Sequence, residues 1–384
     1  HLIIYKVKSK YWSRTHKFGI KVPKTVQDAI RIDKENGDTL WWDAILKEMK
    51  NVRIAFEEYD GNIDELTKKG YTKIDCHMIF DIKMGENFRR KARLVAGGHK
   101  TEAPSSITYS SVVSRDSVRI ALLIAALNDL NVLSCDIQNA YLTAPCREKI
   151  CIIAGHEFGS EAGKTMIIVR ALYGLKSSGA AFRSFLAETL DDIGFKPSLA
   201  DPDVWMRPAI KANGFKYWEL ILCYVDDLLC VHEDPSIALK QIQNNFKFKD
   251  DKIEEPATYL GGDLSKIDNK DGKQCWSLSS DKYCTAMVKN VEEVLKKKGI
   301  RLPSKCVAPI QHGYKPEMDC TAELKADGIQ WYQEIVGCLR WAVELGRVDI
   351  LLETSLMSQH LALPREGHLE QVLHIVGYLK SHAK

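Results

Sequence analysis

The sequence predicts an α+β fold in which an antiparallel sheet is backed by helices. Three observations carry that prediction. In "ILCYVDDLLCVHE" (221–233), two strand-forming apolar runs, 220–225 and 228–231, flank a pair of acids where a tight hairpin turn would sit. In "NVLSCDIQNAYL" (131–142), a short apolar strand ends on Asp136. Between them, Phe182, Phe185, Leu186, Leu190 and Ile193 recur at spacings of three and four, as in an amphipathic helix. Strand, helix, strand and hairpin in that order build one sheet with helices packed on it.

The other elements follow in chain order. In "WWDAILKEMK", Trp41, Trp42, Ile45, Leu46 and Met49 recur at helical spacing, which reads as a docking helix. "CHMIFDIKMGENFRRKARLVAGG" (76–98) reads as two strands around a glycine-containing turn, the second strand carrying Arg89, Arg90, Lys91 and Arg93. "SRDSVRIALLIAALNDL" (114–130) is a helix with Ser114 as its N-cap and an apolar face too broad for a surface helix. "ALYGLKSSGAAF" (171–182) is a Gly/Ser-rich turn leading into the amphipathic helix, and "DPDVWMRP" (201–208) is a short strand. Beyond residue 265 the chain reads as mainly helical, with helical periodicity over 281–299, 328–345 and 366–382.

Composition sets the frame. The 384 residues exceed one compact core and suggest two or three subdomains. With 45% hydrophobic and 27% charged residues, the chain is that of a folded protein, and no apolar run approaches the roughly 20 residues that span a bilayer. Eleven cysteines lie singly with no C-x-x-C pair, which fits reduced thiols in an intracellular, non-secreted protein rather than a zinc site. A net charge of +3 does not announce a nucleic-acid binder, but "NFRRKARLVAGGHK" (87–100) and "EEVLKKKGIRLPSK" (292–305) are locally basic. The chain opens on His1, which suggests a processed product or a piece of something longer.

Asp226 and Asp227 favour a turn on their own account. Their apolar flanks, however, leave two like charges in need of a cation or a basic partner. Asp136, at the end of its own strand, can reach the same sheet edge. Converging carboxylates are the all-oxygen ligand set that Mg²⁺ prefers, and two such ions catalyse in-line phosphoryl displacement. With a basic strand at 89–93 to hold phosphates, the pattern reads as nucleotidyl transfer. A different two-metal enzyme, such as a nuclease, predicts further acids or a His near Asp136, and "CDIQNAYL" offers none.

"YVDD" resembles the YxDD motif of reverse transcriptases. "RRKARLVAGG", "SSVVSRDSVRIALLIAALNDL", "CDIQNAYLTAPCREKI", "ALYGLKSSGAAF", "YVDDLLCV" and "TYLGGDL" resemble, in the right order, the polymerase blocks of copia-like (Ty1/copia) LTR retrotransposons. The likeness runs from about residue 35 to the end. It implies a right-hand polymerase: an N-terminal segment (1–62), fingers and palm (63–264), a helical thumb (265–335) and the start of a connection towards ribonuclease H (336–384).

The resemblance implies roles residue by residue. Asp136, Asp226 and Asp227 match the metal-binding catalytic acids, holding two Mg²⁺ ions for which Mn²⁺ can substitute. Tyr141 matches the aromatic gate under the sugar of the incoming nucleotide, where a ring leaves no room for a 2′-hydroxyl. Lys91 and Arg93 match fingers positions on the triphosphate, and Gly174 and Lys176 the turn that shapes the nucleotide pocket. Where many relatives carry Pro in that turn, this chain has Gly179. Tyr224, Gly261 and Gly262 fall at primer and template positions, and a basic helix at 293–301 at the thumb. The implied activity is RNA- and DNA-directed DNA synthesis from dNTPs on an RNA template with a DNA primer. It would proceed beside ribonuclease H and integrase regions of a Pol polyprotein, in a cytoplasmic retroelement particle and without a membrane. The alternative is a catalytically decayed remnant that only binds nucleic acid.

Overall fold

The computed structural model describes residues 16–83, 88–102 and 108–382, a mixed α and β fold of several sheets and helices. The chain begins with a small hairpin, β1 (His16–Lys17) and β2 (Ile20–Lys21), followed by α1 (Val26–Asn36) and α2 (Leu40–Val52). Thr25 caps α1 through its side chain, and Gly37 ends it in the left-handed conformation. Helix α2 buries Trp41, Ile45, Met49 and Val52 as one face, while Trp42 is half-buried and Leu46 faces outward. β3 (Phe56–Glu58), α3 (Ile63–Lys68) and β4 (Thr72–Lys73) lead to the paired strands β5 (Cys76–Lys83) and β6 (Arg89–Ala96). β5 alternates strictly, with Met78, Phe80 and Ile82 buried. The glycine-containing turn expected between the two strands lies outside the described residues.

Helix α4 (Arg115–Leu127) is capped as expected: the Ser114 side chain accepts from the Ser117 amide. Only one face of it is buried, through Val118, Ala121, Leu122 and Ala125, while Ile120, Leu123 and Leu127 face outward. The broad apolar face predicted from sequence is thus split between core and surface. There follow β7 (Asn131–Asp136), the single turn α5 (Ala140–Thr143), β8 (Ile150–Ile153), β9 (Thr165–Ile168) and α6 (Ser178–Asp192). Next come β10 (Lys196–Pro197), β11 (Val204–Ile210), β12 (Lys216–Tyr224), β13 (Asp227–His232) and α7 (Pro235–Gln243). α1, α2, β5, β6, β8 and β9 share one hydrophobic core.

The central sheet has the order β10-β11-β12-β13-β7, every pair antiparallel. Both of its faces are covered, which is why β12 and β13 read as continuous apolar runs rather than alternating ones. Ile221, Cys223, Leu228 and Cys230 pack under α6 and α7, with Phe182, Leu186, Leu239 and Ile242. Leu220, Leu222, Leu229 and Val231 face α4 and a smaller sheet of β14 (Thr258–Tyr259), β15 (Gly262–Asp268) and β16 (Gln274–Ser279).

β16 departs from the sequence reading, which turns helical at residue 265. "QCWSLS" carries too little apolar alternation to be read alone, and becomes a strand by pairing with β15.

The C-terminal helices α8 (Asp281–Lys297), α9 (Ala326–Glu344), α10 (Leu351–Ser358) and α11 (Glu366–Ser381) share a core of their own, built around Tyr332, Val336, Leu339 and Val376. The basic stretch expected to continue to residue 301 leaves the helix after Lys297, where Gly299 turns left-handed (φ 69°). All eleven cysteines are free thiols. Among the described residues no helix is long and apolar enough to cross a membrane.

Candidate active site

The hairpin turn places the acids. Tyr224 and Asp227 face each other as register partners, so the two-residue loop is Val225–Asp226 and Asp227 opens β13. Val225 sits at φ 56°, a left-handed conformation that a β-branched residue adopts only under strain of about 1–2 kcal/mol. Local strain of this kind persists where surrounding structure enforces it.

The neighbouring strand brings the third acid. β7 pairs with β13 in a register that sets Asp136 directly opposite Asp227. One residue on, the Ile137 amide donates to the Asp226 carbonyl at 2.8 Å, tying the end of β7 to the loop itself. All three carboxylates are part-buried at one sheet edge. Burial first, then repulsion from Asp226 and Asp136, pushes the Asp227 carboxyl up to about 6. The Asp226 carboxyl is raised for the same reasons, burial before Asp136, and is moderated by Arg93 and Lys91. Those two cations of β6 thus lie near enough to Asp226 for their charge to act on it. Burial, and then Arg93 beside it, lowers the Lys91 ammonium.

Among the described residues no three His, Cys, Asp or Glu side chains converge closely enough to hold a metal as they stand. The donor set nonetheless fits a hard divalent cation: three carboxylates, mutually repelling, with the one opposite pair in register. The carboxylate of Asp136 is drawn elsewhere, onto the ammonium of Lys249 at 2.9 Å.

The remaining predicted residues gather around this edge to differing degrees. Tyr141, on α5, lies half-buried beside the site; its phenol is raised by burial and then by Asp226. Its ring packs on Tyr173 with centroids 4.8 Å apart and edge-on to Phe182 at 6.1 Å. Gly174 (φ 93°) docks so closely on β6 that a Cβ would meet the Ala96 carbonyl, while the Ala96 amide donates to Tyr173 O at 2.8 Å. Lys176 does not reach out; its ammonium donates to the Thr101 carbonyl at 2.6 Å and fastens the turn. Gly261 (φ 82°) lies against the Trp341 indole, and Gly262 against Leu278. The short hairpin that carries them meets the acids through Tyr259, whose hydroxyl donates to the Asp227 carbonyl at 3.4 Å. Tyr224 packs with this same sheet.

Sequence reasoning missed two members. Tyr173 carries Arg93 stacked over its ring at 5.0 Å and so joins the basic strand to Tyr141. The only sign of it was its place inside "ALYGLK". Lys249 gave no sign, because its partner is fixed by tertiary structure.

Residues 66–304 match the family described as reverse transcriptase (RNA-dependent DNA polymerase), and the chain belongs to that family of nucleotidyltransferases. Its relatives are copia-like transposon proteins. It is 26% identical over 323 residues to the retrovirus-related Pol polyprotein from transposon TNT 1-94 of Nicotiana tabacum, covering 81% of this chain and 23% of that protein. The identity to the Pol polyprotein from transposon RE1 of Arabidopsis thaliana is also 26%, over 318 residues, 80% of this chain and 20% of the relative. A transposon Ty5-1 protein of Saccharomyces cerevisiae is 26% identical over 248 residues, 64% of this chain and 74% of its own length. The chain thus spans about a fifth to a quarter of the Pol polyproteins it matches.

Proposed function

We propose that the chain extends a DNA primer with dNTPs on RNA and DNA templates by two-metal nucleotidyl transfer. The observation that carries this reading is the register that sets Asp136 opposite Asp227, with Asp226 on the loop between β12 and β13. Asp136 and Asp226 would hold two Mg²⁺ ions, with Asp227 in support. When bound, the ions supply the charge that activates the primer hydroxyl and stabilises the leaving pyrophosphate.

The protein's own groups do the rest. Lys91 and Arg93 bind the triphosphate; their charge already acts on Asp226, which it holds down against burial. Tyr141 closes the space a 2′-hydroxyl would need, and Gly174 with Lys176 fixes the turn behind it. Tyr224, Gly261 and Gly262 support the primer terminus beside the acids. In right-hand terms, 63–264 make fingers and palm. Residues 265–335 make the thumb, and the core that α8 and α9 share with α10 and α11 continues through 336–384 into the connection. The basic end of α8, with Lys296 and Lys297, faces the duplex backbone without reading its sequence. Ribonuclease H and integrase regions of a Pol polyprotein are the natural partners, in an intracellular retroelement particle.

Primer extension tests the reading: an RNA template, an annealed DNA primer, dNTPs and Mg²⁺, beside Asp226→Asn. Extension by the wild type alone is expected. Extension by Asp226→Asn near the wild-type rate would overturn the assignment of the metal site.

A further inference from the structure

Asp136 is flanked on two sides. On one, β13 offers Asp227. On the other, the segment after α7 runs along the free edge of β7 and interrupts its pairing at this very point. Ser134 pairs with Glu254, their backbones exchanging hydrogen bonds at 2.8 and 3.1 Å, and Ile137 pairs with Phe248. Between those two bridges, 249–253 stand opposite only Cys135 and Asp136. The outer chain therefore arches away as a wide bulge, of the kind that re-aims side chains beside functional sites.

Lys249 is the first residue of the arch, and the backbone leading into it is anchored. Phe246 and Phe248, just before it, are fully buried in the core that holds Cys135 and Ile137. The Gln138 amide donates to the Lys247 carbonyl at 2.8 Å. Just after it, Asp250 and Asp251 both take left-handed backbone conformations, φ 56° and 52°. Two successive aspartates in that region, which their short polar side chains tolerate, turn the chain sharply away from β7. The outcome is the Lys249 ammonium 2.9 Å from Asp136 Oδ2, close enough for its charge to be felt at Asp227 as well.

We propose that Lys249 is a built-in counter-cation of the acid cluster, standing at Asp136 in place of a divalent ion and released when one binds. This deepens the proposed function and rests on its assignment of Asp136 as a metal ligand. It accounts for two facts together: Asp136 and Asp227 are register partners, yet the three carboxylates do not converge. A metal entering the site must take Asp136 from Lys249, so the lysine sets how much free cation the site needs. Between turnovers it also compensates a cluster of acids that would otherwise repel one another.

The test is a Mn²⁺ titration of the full chain without nucleic acid or nucleotide, following the free-ion signal by electron paramagnetic resonance. Wild type, Lys249→Met, Lys249→Arg, Asp136→Asn and the Lys249→Met/Asp136→Asn double variant are compared, with thermal melts to establish that each is folded. Lys249→Met should bind Mn²⁺ about two- to fivefold more tightly than wild type, the scale of one largely exposed ion pair. Lys249→Arg, which keeps the charge, should stay near wild type, and the gain should vanish in the double variant. Binding by Lys249→Met equal to or weaker than wild type would overturn the proposal. If Asp136→Asn binds Mn²⁺ as well as wild type does, the metal-site reading itself fails, whatever Lys249→Met shows.

Discussion

The ring of Tyr141 lies against that of Tyr173, centroids 4.8 Å apart and planes inclined by 58°. Arg93 stacks on the far partner, so a cation of β6, a turn residue and the candidate sugar gate form one contiguous column. Aromatic contacts of this kind contribute about 0.5–1.5 kcal/mol beyond their buried area, enough to hold the gate ring in one orientation. Tyr141→Ala is expected to admit ribonucleotides. Tyr173→Ala should do so to a smaller extent, by letting the Tyr141 ring move, whereas Tyr173→Phe should retain selectivity. Single-nucleotide incorporation of dNTP against rNTP measures this, and unchanged selectivity in Tyr141→Ala would refute the gate.

The raised carboxyl of Asp227 makes stability depend on pH. Between about pH 4, where an unfolded Asp ionises, and about 6, the folded chain keeps the proton and the unfolded chain does not. Rising pH over that window therefore costs the metal-free protein stability, and the deficit is complete above it. After allowing for partial solvent contact, it amounts to about 1–2 kcal/mol. Asp227→Asn should melt higher than wild type in EDTA, by a margin that widens from pH 4 to 6 and is constant beyond. A margin independent of pH would contradict the assignment.

Gly174 adopts φ 93° and abuts the Ala96 carbonyl, whereas Gly313, at φ 76°, has open space where a Cβ would go. Both Gly→Ala changes incur backbone strain, but only the first adds a collision with main chain that cannot move aside. Gly174→Ala should lower stability by about 2 kcal/mol or more, and Gly313→Ala by roughly 1. Urea denaturation compares them; equal losses would show that the 173–175 turn yields freely.

Asp33 is buried, and its two oxygens accept from the amides of Trp41 (3.1 Å) and Trp42 (2.8 Å) at the start of α2. Asp33→Ala leaves two donors unpaired at that helix end and should cost about 2 kcal/mol. Asp33→Asn, which retains an acceptor, should lose less. Circular dichroism melts of the two variants would expose the difference, and an undiminished Asp33→Ala would remove the residue from the account of this helix.

Much of the site was legible because its signals are local. Acids between apolar runs fix a hairpin, Asp136 ends a strand whose pattern is plain, and Ser114 precedes a helix it does cap. What stayed hidden depends on partners distant in sequence. Lys176 looks like a free basic residue until the Thr101 carbonyl is found beside it. "QCWSLS" looks like coil until β15 is laid next to it. Lys249 is one lysine among many in a charged stretch, and only the bulge against β7 aims it. Tyr173 has no spacing signature, since its neighbours Tyr141 and Arg93 come from two other elements. Local chemistry writes turns and faces into a sequence, but side-chain pairing across long separations leaves no periodicity to read.

The central sheet also fixes when in folding the site comes into being. β11, β12 and β13 are consecutive hairpins that close over short loops, whereas β7 joins at the edge from far earlier in the chain. Pairings between distant segments carry the larger loop-closure entropy and form slowly. The β11–β13 meander by itself carries Asp226 and Asp227 but not Asp136. The acid constellation is assembled by the least local strand pairing of its sheet, so the three carboxylates come to one sheet edge only once that pairing has closed.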